Sequence, residues 1–204
     1  SHFSELNGIL AGKTGIASTF SFYPGKNLGA YGDAGCVITN DDKLAKKILM
    51  YSNHGALKKH HHIIEGINSR LDGLQAAILS VKLPLIRKWN KSRIILANKY
   101  NDNLNGIGDI EIPKVRKNSK HTFHLYVIKT SHRDKLKVFL EKNGISTAIH
   151  YPVSLPMMPA YSRFSFKKSD YPISYNHSKK ILSLPMYPEL SIKKIEYVIK
   201  IIKS

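Results

Sequence analysis

The sequence is poor in cysteine and in acidic residues, with one Cys and 14 Asp and Glu among 204 residues. A single thiol, that of Cys36, can form neither an internal disulfide nor a cysteine-rich zinc site. No apolar run approaches the roughly 20 residues of a membrane span, and the first residues lack the basic and then apolar character of a secretory signal. We therefore expect a cytoplasmic protein, and the 42% of hydrophobic residues suffices for one or two compact cores.

The excess of positive charge is the main compositional feature, with 32 Lys and Arg and a formal net charge of +18. Clustered basic residues bind nucleic-acid phosphates, so a basic nucleic-acid-binding domain is one interpretation. Only six of the 32 are Arg, although base and phosphate recognition favours the planar guanidinium. The lysines lie along the whole chain, many in pairs, which is typical of solvated helix faces.

The first half of the chain has few predicted elements. Residues 16–23 and 35–39 have the composition of β-strands, and the glycine-rich residues 24–33 between them form a loop that can approach a neighbour closely. Residues 40–42 then offer N-cap oxygens to a helix. Two strands and a helix cannot shield a sheet, so we expect a preceding segment or a partner chain to complete this half.

A long helix is predicted from near Ser69 to Asn105, because apolar residues recur at helical spacing up to Tyr100. Pro84 should kink or restart this helix. We expect the helix to link two lobes, residues 1–90 and 91–204.

The second half is expected to be a small α/β lobe. Its predicted elements are a strand at residues 122–130, a helix at 133–143 closed by Gly144, a strand at 145–150 and a terminal amphipathic helix at 192–202.

Two motifs suggest chemistry that their spacing does not support. The segment from Gly8 to Thr14 has three residues between its glycines where a phosphate-binding P-loop needs four, so a plain turn is the better interpretation. His60, His61 and His62 are neighbours on a predicted loop and would point in different directions. We therefore expect no metal site.

Lys26 and Ser21 form the remaining candidate constellation, directly after the first predicted strand. A Lys in a glycine-bearing loop at a strand end can reach into a crevice, while a Ser hydroxyl five residues earlier meets an anion. By spacing alone, a lysine is more often a surface charge.

Residues 19–39, TFSFYPGKNLGAYGDAGCVIT, resemble the Schiff-base segment of the DegT/DnrJ/EryC1/StrS family of sugar aminotransferases, which use pyridoxal phosphate. Further family-like motifs follow in the expected order. They are Asn53-His54-Gly55, residues 66–72, Gln75-Ala76-Ala77, His150-Tyr151-Pro152 and Pro159-Ala160-Tyr161. The resemblance covers essentially the whole chain.

The resemblance implies roles for individual residues. Lys26 would bind the cofactor covalently, and its freed amine would move the proton in catalysis. Ser21 would bind the cofactor phosphate, and Asn68 would reach the same phosphate from the other subunit of a homodimer. Arg70, with the pair His150-Tyr151, would contact the nucleotide of a nucleotide-sugar substrate across subunits. From the residues alone, Asn68 could instead cap the long helix and His150-Tyr151 could simply end a strand.

The implied fold is the C-terminal portion of a fold-type I pyridoxal-phosphate-dependent transferase. Residues 1–90 would end the large cofactor-binding domain and start the linking helix, and residues 91–204 would form the small C-terminal α/β domain. The upstream segment, with an aromatic residue, an Asp for the pyridine nitrogen and a Gln, is expected to be missing, so that the chain is a fragment of doubtful activity by itself.

The implied reaction transfers an amino group, with glutamate as the expected donor, to a keto group of a nucleotide-linked deoxy sugar. Cell-surface polysaccharide or deoxysugar biosynthesis would use such a product. Two alternatives stay open: a non-catalytic sugar-nucleotide-binding or regulatory relative of this fold, and the basic nucleic-acid-binding domain.

Overall fold

A computed structural model describes residues 1–204, which divide into two compact units. The first unit comprises residues 1–90 and 116–122, and the second comprises residues 91–115 and 123–204. No helix is both long enough and apolar enough to cross a bilayer.

The first unit contains three small antiparallel sheets and two complete helices, α1 and α2. The strand orders are β2-β1-β7, β3-β4 and β5-β6. The strands are β1 Glu5–Leu6, β2 Ile9–Leu10, β3 Ala17–Ser21, β4 Gly35–Thr39, β5 Ala56–Lys58, β6 His61–His62 and β7 Ser119–Lys120, and the helices are α1 Asp42–Ser52 and α2 Gly73–Lys82.

Local sequence accounts for two boundaries in this unit. Asp41 caps α1 as predicted, because its Oδ1 accepts the backbone N–H groups of Lys43 at 2.9 Å and Leu44 at 3.0 Å. Asn7 and Gly8 both have positive φ, at 51° and 77°, and form the two-residue turn between β1 and β2.

The long helix differs from its prediction. Helix α2 begins at Gly73, not near Ser69, because the Ser69 N–H donates to the Ser52 carbonyl at 2.9 Å and is held there. A 3₁₀ turn at Leu83–Leu85 separates α2 from α3 Ile86–Leu104, which is the restart expected at Pro84.

The core of the first unit is small. Leu28, Ala30, Leu79 and Ile86 are buried together, and Phe3, Phe22, Ala34 and Trp89 pack against them partly exposed. The loop between β3 and β4 therefore contributes directly to this core.

The second unit has a two-stranded sheet and a larger core. Strands β8 Tyr126–Lys129 and β9 Ile181–Leu184 pair antiparallel. The helices that accompany them are α4 Arg133–Lys142, α5 Pro172–Lys180 and α6 Ile192–Lys203, with 3₁₀ turns at Leu155–Met157 and Pro159–Phe164. Fifteen buried residues, from Leu96 in α3 to Ile199 in α6, form its core.

Two predicted strands of this unit were wrong in extent. The strand predicted at 122–130 is only β8, because the Arg93 guanidinium binds the Phe123 and His124 carbonyls, each at 3.2 Å, in place of a neighbouring strand. The segment predicted as a strand at 145–150 forms a single bridge between Ala148 and Ser183.

Candidate active site

Lys26 lies on the loop that joins the paired strands β3 and β4, and it is half-buried. Its backbone N–H donates to the Tyr23 carbonyl at 2.8 Å, which makes residues 23–26 a tight turn. Two backbone hydrogen bonds of Phe22 close the base of the loop. The Ala30 N–H donates to the Phe22 carbonyl, and the Phe22 N–H donates to the Ala34 carbonyl, each at 2.8 Å.

Gly29 allows this loop to fold back on itself. A Cβ at this position would overlap the Pro24 carbonyl oxygen, so no side chain fits without a backbone shift. The Gly29 carbonyl accepts a hydrogen bond from the Lys82 ammonium at 2.6 Å. The loop is thereby held against α2.

Asn27, next to Lys26, is 5% exposed and makes two long-range hydrogen bonds. Its Nδ2 donates to Asn90 Oδ1 at 2.8 Å and to the Thr122 carbonyl at 3.0 Å. Asn90 Nδ2 in turn donates to the His2 carbonyl at 2.9 Å. The sequence did not indicate this network, because its members are distant in the chain.

Ser21 is the last residue of β3 and is exposed. Its Oγ accepts the Tyr23 N–H at 3.2 Å, which leaves the hydroxyl hydrogen free to be donated to an anion. Ser21 and Lys26 therefore lie on one continuous strand and loop, as their spacing predicted.

His2 is a neighbour of this loop that the sequence did not single out among ten histidines. Its ring stacks on those of Phe20 and Phe22, with centroids 5.6 Å away in both cases. Burial is the main reason that the pKa of His2 is lowered from 6.5 to about 4. His2 is therefore a neutral side chain at physiological pH.

Asn68 and Arg70 lie together on an exposed segment that follows the short hairpin of β5 and β6. Asn68 forms a backbone bridge with Asn53. Arg70 Nε donates to Asn68 Oδ1 at 3.1 Å, and Arg70 Nη1 donates to Asn53 Oδ1 at 3.2 Å. The interpretation of Asn68 as a helix cap is wrong, because α2 begins at Gly73 with Asp72 at its N-cap.

Two glycines let the chain cross at this hairpin. Gly55 has a φ of 77°, and a Cβ there would overlap the Ile64 carbonyl. A Cβ on Gly66 would overlap the Gly55 nitrogen. The motif Asn53-His54-Gly55 thus serves a close approach of two backbones.

His150 and Tyr151 belong to the second unit. His150 Nδ1 lies 2.8 Å from the Oγ of Ser183, a buried residue of β9. Tyr151 is 68% exposed. The predicted site residues therefore fall into three groups: Ser21 with Lys26, Asn68 with Arg70, and His150 with Tyr151.

Comparison with known proteins gives one consistent result. The sequence model of the DegT/DnrJ/EryC1/StrS aminotransferase family matches residues 1–203. The "Pleiotropic regulatory protein" of Geobacillus stearothermophilus is 42% identical, over 97% of this chain and 54% of its own length. The dTDP-3-amino-3,4,6-trideoxy-alpha-D-glucose transaminase of Streptomyces venezuelae is 38% identical, over 93% of this chain and 50% of its own length. The chain spans about half the length of the curated relatives it matches.

A solved structure supports the same relationship. The crystal structure of S. venezuelae DesV in complex with a ketimine intermediate superposes with a TM-score of 0.95 at 36% identity, covering 98% of this chain and 54% of that one. The fold class expected from the sequence is confirmed by this likeness.

Proposed function

Because this chain belongs to the DegT/DnrJ/EryC1/StrS aminotransferase family, we propose that it carries the reactive lysine, Lys26, of a pyridoxal-phosphate-dependent aminotransferase acting on nucleotide-linked keto sugars. The observation that carries the proposal is the fixed loop of Lys26. A turn, a glycine that tolerates no side chain and a buried Asn hold Lys26 on the loop that follows β3, and Ser21 is the last residue of that strand.

The residues present fit the chemical groups of pyridoxal phosphate. An aldehyde requires a primary amine, which Lys26 supplies, and a phosphate requires hydrogen-bond donors. Ser21 is such a donor, since its oxygen already accepts the Tyr23 N–H and only its hydrogen remains to be donated.

Asn68 fits the same phosphate for a reason visible in its contacts. Arg70 Nε donates to Asn68 Oδ1, so this oxygen is occupied and the Nδ2 group is left to face a ligand. An amide presented by its N–H₂ side donates to an anion. We propose that Asn68 does so from the second subunit of a homodimer.

The cofactor, when bound, supplies an electron sink that stabilises negative charge at the carbon from which a proton is removed. The Lys26 amine would act as the base: its Nζ would take a proton from Cα of the amino donor and release it to the cofactor carbon within the same half-reaction.

Arg70, His150 and Tyr151 are proposed to bind the nucleotide sugar across subunits. The guanidinium of Arg70 uses Nε and Nη1 for the two amides, and its remaining N–H groups suit a diphosphate. His150 has one ring nitrogen bound to Ser183, which leaves the other for a substrate. Tyr151 adds an exposed aromatic ring.

The finer features of the reaction are part of the same proposal. We propose glutamate as the amino donor, a dTDP- or UDP-linked keto sugar as the acceptor and a role in cell-surface polysaccharide or deoxysugar biosynthesis in the cytoplasm. The names of the related transaminases, which act on dTDP and UDP amino sugars, support this choice of acceptor.

The first experiment locates the cofactor bond. The full-length protein is incubated with pyridoxal phosphate, and we expect an absorption band at roughly 400–430 nm, which borohydride abolishes while labelling the peptide that contains Lys26. Lys26→Ala should remove both the band and the label. Lys46→Ala, which changes an exposed lysine of α1, should change neither. A label on another lysine, or a retained band in Lys26→Ala, would overturn the proposal.

A second candidate function is a regulatory protein that binds the cofactor or a sugar nucleotide without transamination, since one relative at 42% identity is named a regulatory protein. The two candidates differ in one half-reaction. Glutamate should bleach the visible band of an aminotransferase and release 2-oxoglutarate. A band that glutamate and other amino acids leave unchanged would favour the regulatory function.

A further inference from the structure

Two buried amides meet beside the Lys26 loop. Asn27 is 5% exposed and Asn90 is 3% exposed, and they lie 63 residues apart in the sequence. Replacing a buried polar pair by apolar side chains is often neutral for stability, so the presence of two amides here calls for a reason other than stability.

The hydrogen bonds fix the orientation of both amides. Asn90 must direct its Nδ2 towards the His2 carbonyl, which accepts only, and so presents Oδ1 to Asn27. Asn27 must then donate, and its second hydrogen is taken by the Thr122 carbonyl. Both donors of Asn27 are therefore used, and neither amide can turn over without losing a bond.

The position of this pair along the loop is informative. Lys26 and Asn27 lie outside the strands, so no ladder of sheet hydrogen bonds holds them. On the N-terminal side, the Lys26 N–H is bound to the Tyr23 carbonyl. On the C-terminal side, the first long-range anchor is the Asn27 side chain.

We propose that Asn27 and Asn90 are positioning residues for Lys26, an amide clamp that fixes the Lys26 backbone and hence the direction of the amine. The proposal rests on the proposed function of Lys26. An amine held in one direction reacts with a bound carbonyl without first searching its rotamers, and a displacement of about 1 Å is enough to cost as much as 10²-fold in rate.

The test compares Asn27→Leu with Asn90→Leu in the full-length protein loaded with pyridoxal phosphate. Both variants remove the bond between the amides, but only one of them is adjacent to Lys26. We expect both to lower kcat by about 10- to 100-fold with less than about 3-fold change in KM for the nucleotide sugar. We also expect both to move the pH midpoint of the visible band in the same direction.

The double variant separates positioning from stability. In Asn27→Leu with Asn90→Leu the bond between the amides is lost only once, while the His2 and Thr122 carbonyls lack their donors as in the single variants. The melting temperature should therefore fall by less than the sum of the two single losses. The kcat and the band midpoint should stay as altered as in the single variants, because the clamp is still absent. A kcat that returns to the wild-type value in the double variant would overturn the proposal.

A measurement on the cofactor-free protein adds a readout independent of catalysis. Reductive methylation by formaldehyde and cyanoborohydride, mapped by mass spectrometry, should modify Lys26 several-fold faster in Asn27→Leu than in the wild type, since the loop is released. Methylation of Lys46 should not change. An equal Lys26 rate in both proteins would contradict the clamp, even if Asn27→Leu binds no cofactor.

Tyr126→Phe is the matched control. It removes a hydrogen bond of a buried side chain, from the Tyr126 hydroxyl to Asn101 Oδ1 at 2.8 Å, within the second unit. It should lower the melting temperature and leave kcat and the visible band unchanged. If the wild-type protein itself forms no bond through Lys26, the proposed function fails, whereas wild-type behaviour of both single Leu variants refutes only the clamp.

Discussion

His2 makes the stability of the first unit depend on pH. Its pKa is about 4 in the folded chain, mainly because the ring is buried, stacked on those of Phe20 and Phe22, and its ordinary value is 6.5. Between these values the unfolded chain binds a proton that the folded chain does not, so the free energy of unfolding falls as pH drops from 6.5 towards 4. Above pH 6.5 this contribution is constant.

This pH dependence is measurable by urea denaturation at pH 7.5 and 5.0. His2→Phe keeps a planar ring stacked on the two Phe rings and removes the titrating group. The loss of stability on going to pH 5.0 should therefore be smaller in His2→Phe than in the wild type, while other groups titrate equally in both. Equal losses would show that His2 is not held neutral by burial.

Gly29 and Gly25 provide a matched pair on the Lys26 loop. A Cβ on Gly29 would overlap the Pro24 carbonyl, whereas a Cβ on Gly25 would meet no atom within 4 Å. Gly29→Ala should destabilise the protein by about 1–3 kcal/mol, as overpacking does, and should weaken binding of pyridoxal phosphate. Gly25→Ala should leave both unchanged. Melting temperatures and a titration of the visible band check the two outcomes, and equal effects of the two substitutions would refute the steric argument.

Helix α1 depends on one capping side chain. Asp41 accepts two backbone N–H groups of the first turn, so Asp41→Ala should lower the free energy of unfolding by about 1 kcal/mol. Asp42→Ala removes an acidic residue of the first turn that is not the cap and should cost less. Urea denaturation of the two variants measures both free energies of unfolding. A larger loss of stability in Asp42→Ala than in Asp41→Ala would contradict the capping role of Asp41.

Elements with local signals could be predicted from the sequence, and those set by distant partners could not. Strand β4, the capped start of α1 and the amphipathic helix α6 all lie where the pattern placed them. The strand expected at 145–150 pairs through one bridge only, between Ala148 and Ser183, on the edge of β9 that β8 leaves free. A sequence pattern predicts extended backbone, but it does not predict which strand the segment will pair with.

The candidate site also combines features with local sequence signals and features that depend on distant partners. The positions of Ser21 at the end of β3 and of Lys26 on the following loop could be predicted, because both depend on a local strand and turn pattern. The clamp of Asn27 and Asn90 was not, since only the folded chain brings together residues that lie 63 positions apart. The roles of all the candidate site residues stay predictions: Ser21, Lys26, Asn68, Arg70, His150 and Tyr151.

At the scale of the whole chain, the formal net charge of +18 determines how strongly the protein attracts polyanions. The paired lysines at 46–47, 58–59, 167–168 and 179–180 are all exposed. Exposed lysines attract phosphates without reading bases, so we expect weak binding to duplex DNA of any sequence.

Salt separates this general attraction from a nucleic-acid-binding function. We expect the affinity for mixed-sequence duplex DNA, measured by fluorescence anisotropy, to fall linearly with salt on logarithmic axes and to drop by about 10³-fold or more between roughly 50 and 200 mM. A scrambled duplex of equal length should bind equally well, because exposed ammonium groups contact phosphates and not base edges. Selective binding of one sequence at near-physiological salt would instead favour the nucleic-acid-binding alternative, since discrimination among bases requires contacts that diffuse charge does not make.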